Sequence, residues 1–183
     1  MKFDRTPKVV QEFTESTRRL ETAIDSVGVG QGTSVYDAIV LASRDHLAHE
    51  SGRKAMILIS DGDDTTSTHR LQDALFAAHE SDSVIYSISN VLDGGFLGRN
   101  GSGDPRTLNK LSDETGGAVF FIHRNGDFKA IFDQIANELR SQYSIAYKST
   151  NMKKDGKYRA IKITTKDSSL TVRTRKGYYG PSE

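Results

Sequence analysis

The sequence predicts an α/β fold: a three-layer sandwich around a mostly parallel central sheet, followed by an antiparallel β extension at the C-terminus. Three observations lead there. From about residue 15 to residue 140, stretches of helical apolar period alternate with short apolar runs. After residue 141 the pattern becomes polar–apolar alternation between turn-rich stretches, the mark of strands with one wet face. In between, the run from Ala55 to Ser60 stops abruptly in Asp61, Gly62, Asp63, Asp64 and Thr65. A buried parallel strand reads this way, and such sheets place ligands at the carboxyl ends of their strands.

The elements follow in chain order. Lys8–Phe13 reads as a strand, with Met1–Phe3 the stub of another before an Arg5-Thr6-Pro7 turn. Leu20, Ala23, Ile24 and Val27 share one helical face, and Tyr36, Ile39, Val40, Ser43 and Leu47 share the next. Ala55–Ser60 is the first short apolar run, and Leu71, Ala74, Leu75 and Ala78 form the third helical stripe. Val84–Ser89 is the second strand-like run. Asp93–Asp104 carries five glycines and is expected to be a mobile loop. Asp104-Pro105, an N-cap followed by Pro at the first helical position, opens a helix through Leu108 and Leu111. Ala118–His123 is the third run. Phe128, Ile131, Phe132, Ile135 and Leu139 form the longest stripe, with Asp127 as its expected cap. Gln142–Lys148, Tyr158–Thr165 and Leu170–Arg175 are the expected antiparallel strands. The domain boundary is placed at residue 140, with 141–183 packed as an extension on the same domain.

Composition narrows the function. A chain of 183 residues buries roughly 70% of its unfolded surface and needs no disulfide or metal staple. The net charge of +1 argues against a nucleic-acid binder driven by bulk electrostatics. No apolar run is long enough to span a bilayer, and Met1–Arg5 has no apolar signal core. With no cysteine there is no disulfide or thiol chemistry.

Three readings of the carboxylate loop stand side by side. In the first, Thr65, Thr66, Ser67 or Thr68 simply caps the helix that begins near Leu71. In the second, Asp61-x-Asp63-x-Thr65 resembles the nucleophile loop of haloacid-dehalogenase-type phosphotransferases. That resemblance implies Asp61 as nucleophile, Asp63 as acid/base and Mg²⁺. It also requires a second acidic loop at a later strand end, near Asn90 or Asp127. Neither place supplies paired carboxylates, and no nucleophile–base pair is evident, so a binding module is expected rather than an enzyme.

The third reading rests on four motifs in order. Ile59-Ser60-Asp61-Gly62 resembles the fourth strand of von Willebrand factor A-type domains, and Gly30-Gln31-Gly32-Thr33-Ser34-Val35-Tyr36-Asp37-Ala38 resembles that family's helix entry. Leu111-Ser112-Asp113-Glu114-Thr115-Gly116-Gly117 resembles its turn before the next strand. Glu138–Tyr147 together with Arg173–Tyr179 resembles a bacterial branch of the family in which a β-hairpin extension follows the last helix. The resemblance implies a Rossmann-like sandwich, a protein partner, and a Mg²⁺ or Mn²⁺ adhesion site at the carboxyl end of the sheet. Carried over, Thr33 is the hydroxyl ligand and Asp61 the carboxylate ligand. Ser34, Asp37, Asp63 and Asp64 stand around them. The family's Asp-x-Ser-x-Ser loop and first strand have no counterpart here, so the site is partial and the chain looks N-terminally truncated. A sheet without that strand has open edges, from which a homo-oligomer or domain-swapped assembly is expected. The bacterial relatives imply an exported parent protein.

Other residues have simpler readings. Asp37 serves either as an acceptor for a metal-bound water or as a charge favouring its helix N-terminus. Thr33 or Ser34 is the expected cap of that helix, and the glycines at 28, 30 and 32 form a tight turn without the lysine of a phosphate loop. His46, His49 and Glu50 share a helical face but lack a closed zinc ligand set. His69 is either a pH-sensing group beside the acidic loop or a plain surface histidine. Arg173, Arg175 and Lys176 with Tyr178 and Tyr179 are expected to guard an edge strand.

Overall fold

In the computed structural model, which describes residues 1–28, 30–89, 103–122 and 128–182, the chain divides into two compact units. One comprises Met1–Lys54 and Gly62–Ser83, the other Ala55–Asp61 and Val84–Glu183. The expected cap Asp127 and most of the glycine-rich segment lie outside the described residues.

In the first unit, β1 (Lys2–Phe3) and β2 (Pro7–Lys8) pair antiparallel, with Lys2 opposite Lys8. The strand expected over Lys8–Phe13 stops after its first residue. Two-residue strands are all that this short hairpin sustains, because residues 9–13 have no neighbouring ladder to join. Helix α1 (Thr17–Asp25) is capped by Ser16, whose hydroxyl accepts from the Arg19 amide at 3.4 Å. Its predicted apolar stripe is formed but not covered: none of its residues is buried, and Ile24 is 70% exposed. Helix α2 (Val35–Leu41) packs on α3 (Leu71–Glu80). Three fully buried alanines, Ala74, Ala77 and Ala78, present little side-chain bulk along α3. The second predicted stripe is not one continuous helix. It passes from α2 into a π turn at Ala42–His46 and a 3₁₀ turn at Leu47–His49. There His46 Nδ1 lies 3.4 Å from Glu12, and its ring meets Phe13 edge-on.

The second unit holds the central sheet, three parallel strands in the order β3 (Lys54–Ser60), β4 (Ser83–Ser89) and β5 (Val119–Phe121). Alternation along β4 decides what each face touches. Ser87 accepts from Ser112 of α4 (Pro105–Thr115) at 2.9 Å. Tyr86 and Ile88, on the opposite face, form a buried cluster with Ile135 of α5 (Phe128–Ser141). Helices therefore cover both faces, which is the predicted three-layer arrangement. Asp104 caps α4 as expected, accepting from the Arg106 amide at 3.1 Å and the Thr107 hydroxyl at 3.0 Å. Helix α4 ends at Gly116, whose φ of 87° is the left-handed conformation that glycine adopts without strain.

The C-terminal extension is antiparallel but shorter than predicted. It consists of β6 (Tyr158–Ala160) and β7 (Gly177–Tyr179), with Arg159 opposite Tyr178. Gln142–Lys148 and Leu170–Arg175 are not strands. Their alternation is real, but a strand exists only where a neighbour supplies the ladder. Two cations of the basic tail, which runs into the edge strand β7, make ion pairs. Arg173 reaches Glu138 of α5 at 2.5 Å and Lys176 reaches Asp113 of α4 at 3.1 Å, so these cations tie the extension to the helices.

Hydrogen bonds to Ser149, Tyr147 and Arg159 stabilise the Tyr178 phenolate and draw its pKa down to about 8. Ultraviolet difference titration should show one of the seven tyrosines ionising ahead of the rest, with Ser149→Ala moving that step upward. A first tyrosine step near the ordinary value of about 10 would contradict this arrangement.

Candidate functional site

The loop after β3 is where the sequence concentrates carboxylates and hydroxyls, and hydrogen bonds within the first unit account for most of them. The α2 N-terminus begins at Ser34, and its leading amides need acceptors. The expected cap, Ser34, occupies the N-cap position, but its hydroxyl makes no capping bond. Ser34 Oγ is fully buried and has no hydrogen-bond partner among the described residues. The loop caps the helix instead. Asp64 Oδ2 accepts from the Tyr36 amide at 3.1 Å, and Ser67 Oγ accepts from the Asp37 amide at 3.1 Å. Asp64 also accepts from the Ser67 hydroxyl at 2.6 Å and the Ser67 amide at 3.1 Å. One carboxylate thus closes its own turn and a helix terminus 28 residues away in sequence.

Asp37 answers from the helix side. Its carboxylate accepts from the Thr68 amide at 3.0 Å and the His69 amide at 2.9 Å, and meets His69 Nδ1 at 2.7 Å. Burial alone would raise its pKa. The Thr68 and His69 amides and then the His69 ring outweigh that and hold the carboxyl below its ordinary value. Asp37 stands in the first turn of α2, where a negative charge favours the helix N-terminus as one of its two readings has it, and it is also the acceptor that pins the loop. His69 is correspondingly not a plain surface histidine.

A third seam joins the same segments through the main chain. Thr33 O accepts from the amides of Thr65 at 2.8 Å and Thr66 at 3.1 Å, and the Thr33 amide donates to Thr65 Oγ1 at 2.9 Å. Gly32 makes this approach possible. Its φ is 78°, and a Cβ there would lie 2.7 Å from the Thr66 methyl. The capping reading of Thr65, Thr66, Ser67 and Thr68 is therefore corrected. None of them caps α3, whose N-cap is Arg70, with Asp73 accepting from the Arg70 amide at 2.8 Å. They stitch the loop to α2, which the sequence did not reveal because the partners lie about thirty positions away.

Of the predicted metal ligands, Thr33 falls in the first unit and Asp61, directly after β3, in the second. Ser34, Asp37, Asp63 and Asp64 all belong to the first unit. Among the described residues, no three or more His, Asp or Glu side chains are grouped so as to hold a metal ion. The places where a second acidic loop was sought, Asn90 and Asp127, lie outside the described residues.

Comparison with known proteins then gives three findings. A family model described as von Willebrand factor type A domain matches residues 1–137. No curated protein matches the chain. Among solved structures, the chain is similar to a conserved hypothetical protein, BatB, from Bacteroides thetaiotaomicron. The two are 20% identical over 67% of this chain and 69% of that one, with a TM-score of 0.51, a likeness of fold. An uncharacterized membrane spanning protein from Vibrio fischeri aligns at 22% identity over 74% of this chain and 72% of its own, with a TM-score of 0.39.

Proposed function

Since the chain belongs to the von Willebrand factor type A family, we propose that it is a protein-binding module that works without a resident metal ion. The family supports protein interaction as the general role. The observation that carries the finer reading is how the donors are used. Asp37 and Asp64, carboxylates of the same unit as Thr33, already accept amide and hydroxyl protons, and a cation would compete with those bonds. Ser34, whose hydroxyl has no hydrogen-bond partner among the described residues, is completely buried, whereas Mg²⁺ dehydrates reluctantly and keeps several waters. These residues do not fit a closed Mg²⁺ or Mn²⁺ site. They fit a rim whose shape is set by hydrogen bonds.

Calorimetric titration with Mg²⁺ and Mn²⁺ should give no saturable heat up to about millimolar metal, and Asp61→Ala should leave the trace unchanged. Protein captured on the immobilised chain should stay bound in the presence of a chelator. Micromolar metal binding abolished by Asp61→Ala would defeat the metal-free reading, and failure to retain any protein would defeat the binding role itself.

A further inference from the structure

The parallel sheet of the second unit ends at β5, which pairs with β4 and with no other strand among the described residues. The ladder engages every second residue of this side of the sheet. Ala118 O accepts from the Ser87 amide at 2.9 Å, and the Ile122 amide donates to Ser89 O at 3.2 Å. The N–H and C=O of one residue point to one side of a strand and those of the next to the other. The main-chain groups of Val119 and Phe121 therefore point away from β4, and among the described residues no hydrogen bond outside the ladder reaches them. The C-terminal extension meets the chain ahead of the strand, at Gly116, where a Cβ would lie 2.6 Å from the Arg175 nitrogen. At the far end, Phe121 is 37% exposed. An edge of this kind is a template for an added strand.

The surroundings of the edge define what would be added. Beside it lies a groove of about 520 Å³, lined by residues 117–119, by Arg106, Asn109, Lys110 and Asp113 of α4, and by Arg173. The four α4 residues stand at positions i, i+3, i+4 and i+7 and so share one helical face, opposite the buried Leu108 and Leu111. Val119 is the register partner of Ser87, whose side chain meets α4, so alternate side chains of an added strand face α4 as well. There they meet cations. The Arg106 side chain is 94% exposed, and only its Nε–H, of five guanidinium N–H donors, is bonded to Asp104, at 3.1 Å. Lys110 pairs with Glu114 at 2.7 Å and Arg173 with Glu138. Asp104, Glu114 and Glu138 stand outside the lining of the groove, and solvent-exposed pairs of this kind are weak, so an incoming carboxylate competes for these cations. Asp113, the carboxylate within the lining, is paired with Lys176 at 3.1 Å. We propose that the free edge of β5 and this face of α4 form a docking groove for an extended acidic segment of another protein. The segment adds as a strand on Val119 and Phe121, and its carboxylates engage Arg106, Lys110 and Arg173. This rests on the reading of the chain as a protein-binding module, and it specifies the surface and the chemistry of the partner.

Capped heptapeptides test it. One that alternates glutamate and valine should bind the chain saturably in fluorescence anisotropy, at least about tenfold more tightly than one that alternates lysine and valine. Methylating its backbone nitrogens should abolish binding, because an added strand needs those donors. Arg106→Glu with Lys110→Glu, at two solvent-facing positions of α4, should weaken the acidic peptide by more than about tenfold. Bound peptide should also slow hydrogen exchange at the Val119 and Phe121 amides, which charge attraction alone would not do. No binding of the acidic peptide, equal binding of the basic one, full binding of the methylated one, or unchanged exchange at these two amides would each overturn the proposal. The binding role is judged separately. If protein is still retained on the immobilised chain after Arg106→Glu with Lys110→Glu, the partner does not use this groove, and the module remains a binder.

Discussion

Gly117→Ala should cost about 3 kcal/mol of stability, lowering the melting temperature by roughly 10 °C. Gly117 sits between the end of α4 and β5, where the chain turns back against β4. A Cβ there would lie 2.0 Å from Ile85 O and 2.7 Å from its carbonyl carbon, so a backbone atom would have to move. Nothing flexible can give way. The Gly117 amide bonds Ser112 O at 2.8 Å, and the neighbouring Ile85 amide donates to Thr115 Oγ1 at 3.0 Å. The Ser87 amide reaches Ala118 O at 2.9 Å as the β4–β5 ladder begins. A displaced β5 would loosen that ladder and the buried Tyr86, Ile88 and Ile135 cluster together. Gly28→Ala is the control, since a Cβ there meets nothing within 4 Å. It should change stability by no more than about 0.5 kcal/mol. Equal melting of the two variants would show that the close packing at Gly117 is not what holds β5 in place.

The second large effect is expected at Asp37. Asp37→Asn should cost about 2–3 kcal/mol, the range for losing charged hydrogen bonds and leaving donors unmet. Its carboxylate receives two consecutive amides and the His69 ring, and an amide side chain cannot accept at both oxygen positions. The effect should be local. Hydrogen exchange should rise first at the Thr68 and His69 amides, while the β4–β5 ladder stays protected. It should also depend on pH in a defined direction. The folded-state pKa of Asp37 is depressed, so its contribution is complete above the unfolded value, near 4. That contribution is lost as pH falls through the lower folded-state pKa. The Asn variant should lack this acid-side loss. If exchange at Thr68 is unchanged in the variant, the loop is held by the Thr33–Thr65 seam alone.

Much of the second unit was legible because its signals are local. The apolar runs at 55–60 and 84–89 became β3 and β4 within one residue at each end. Asp104-Pro105 opened α4 as expected, and the Thr115-Gly116-Gly117 turn closed it with a left-handed glycine. Caps, fixed-φ residues and periodicity act over a few positions, so a single chain displays them directly. The strands beyond residue 141 were over-read for the complementary reason. Alternation at Gln142–Lys148 and Leu170–Arg175 states which face would be apolar, but pairing depends on a neighbour that alternation does not specify. The apolar stripe predicted at α1 shows the same limit: Leu20 and Ile24 lie on the helix and Val27 just beyond its end, and all three are exposed.

By itself, then, the sequence determined the α/β class, the family resemblance and the position of the loop rich in oxygen atoms after β3, all written in contiguous stretches of chain. Only the tertiary structure decided what those oxygens do. Asp64, Ser67 and Asp37 have the composition of a cation site or a cap for α3, and they became acceptors for amides at the opposite ends of a long sequence separation. A carboxylate accepts equally well from a metal ion, a nearby amide or a distant one. Which of these it meets is set by the folding of α2 against α3, and that packing brings the Tyr36 and Thr68 amides within 3.1 Å of carboxylates that nothing in the local sequence links to them.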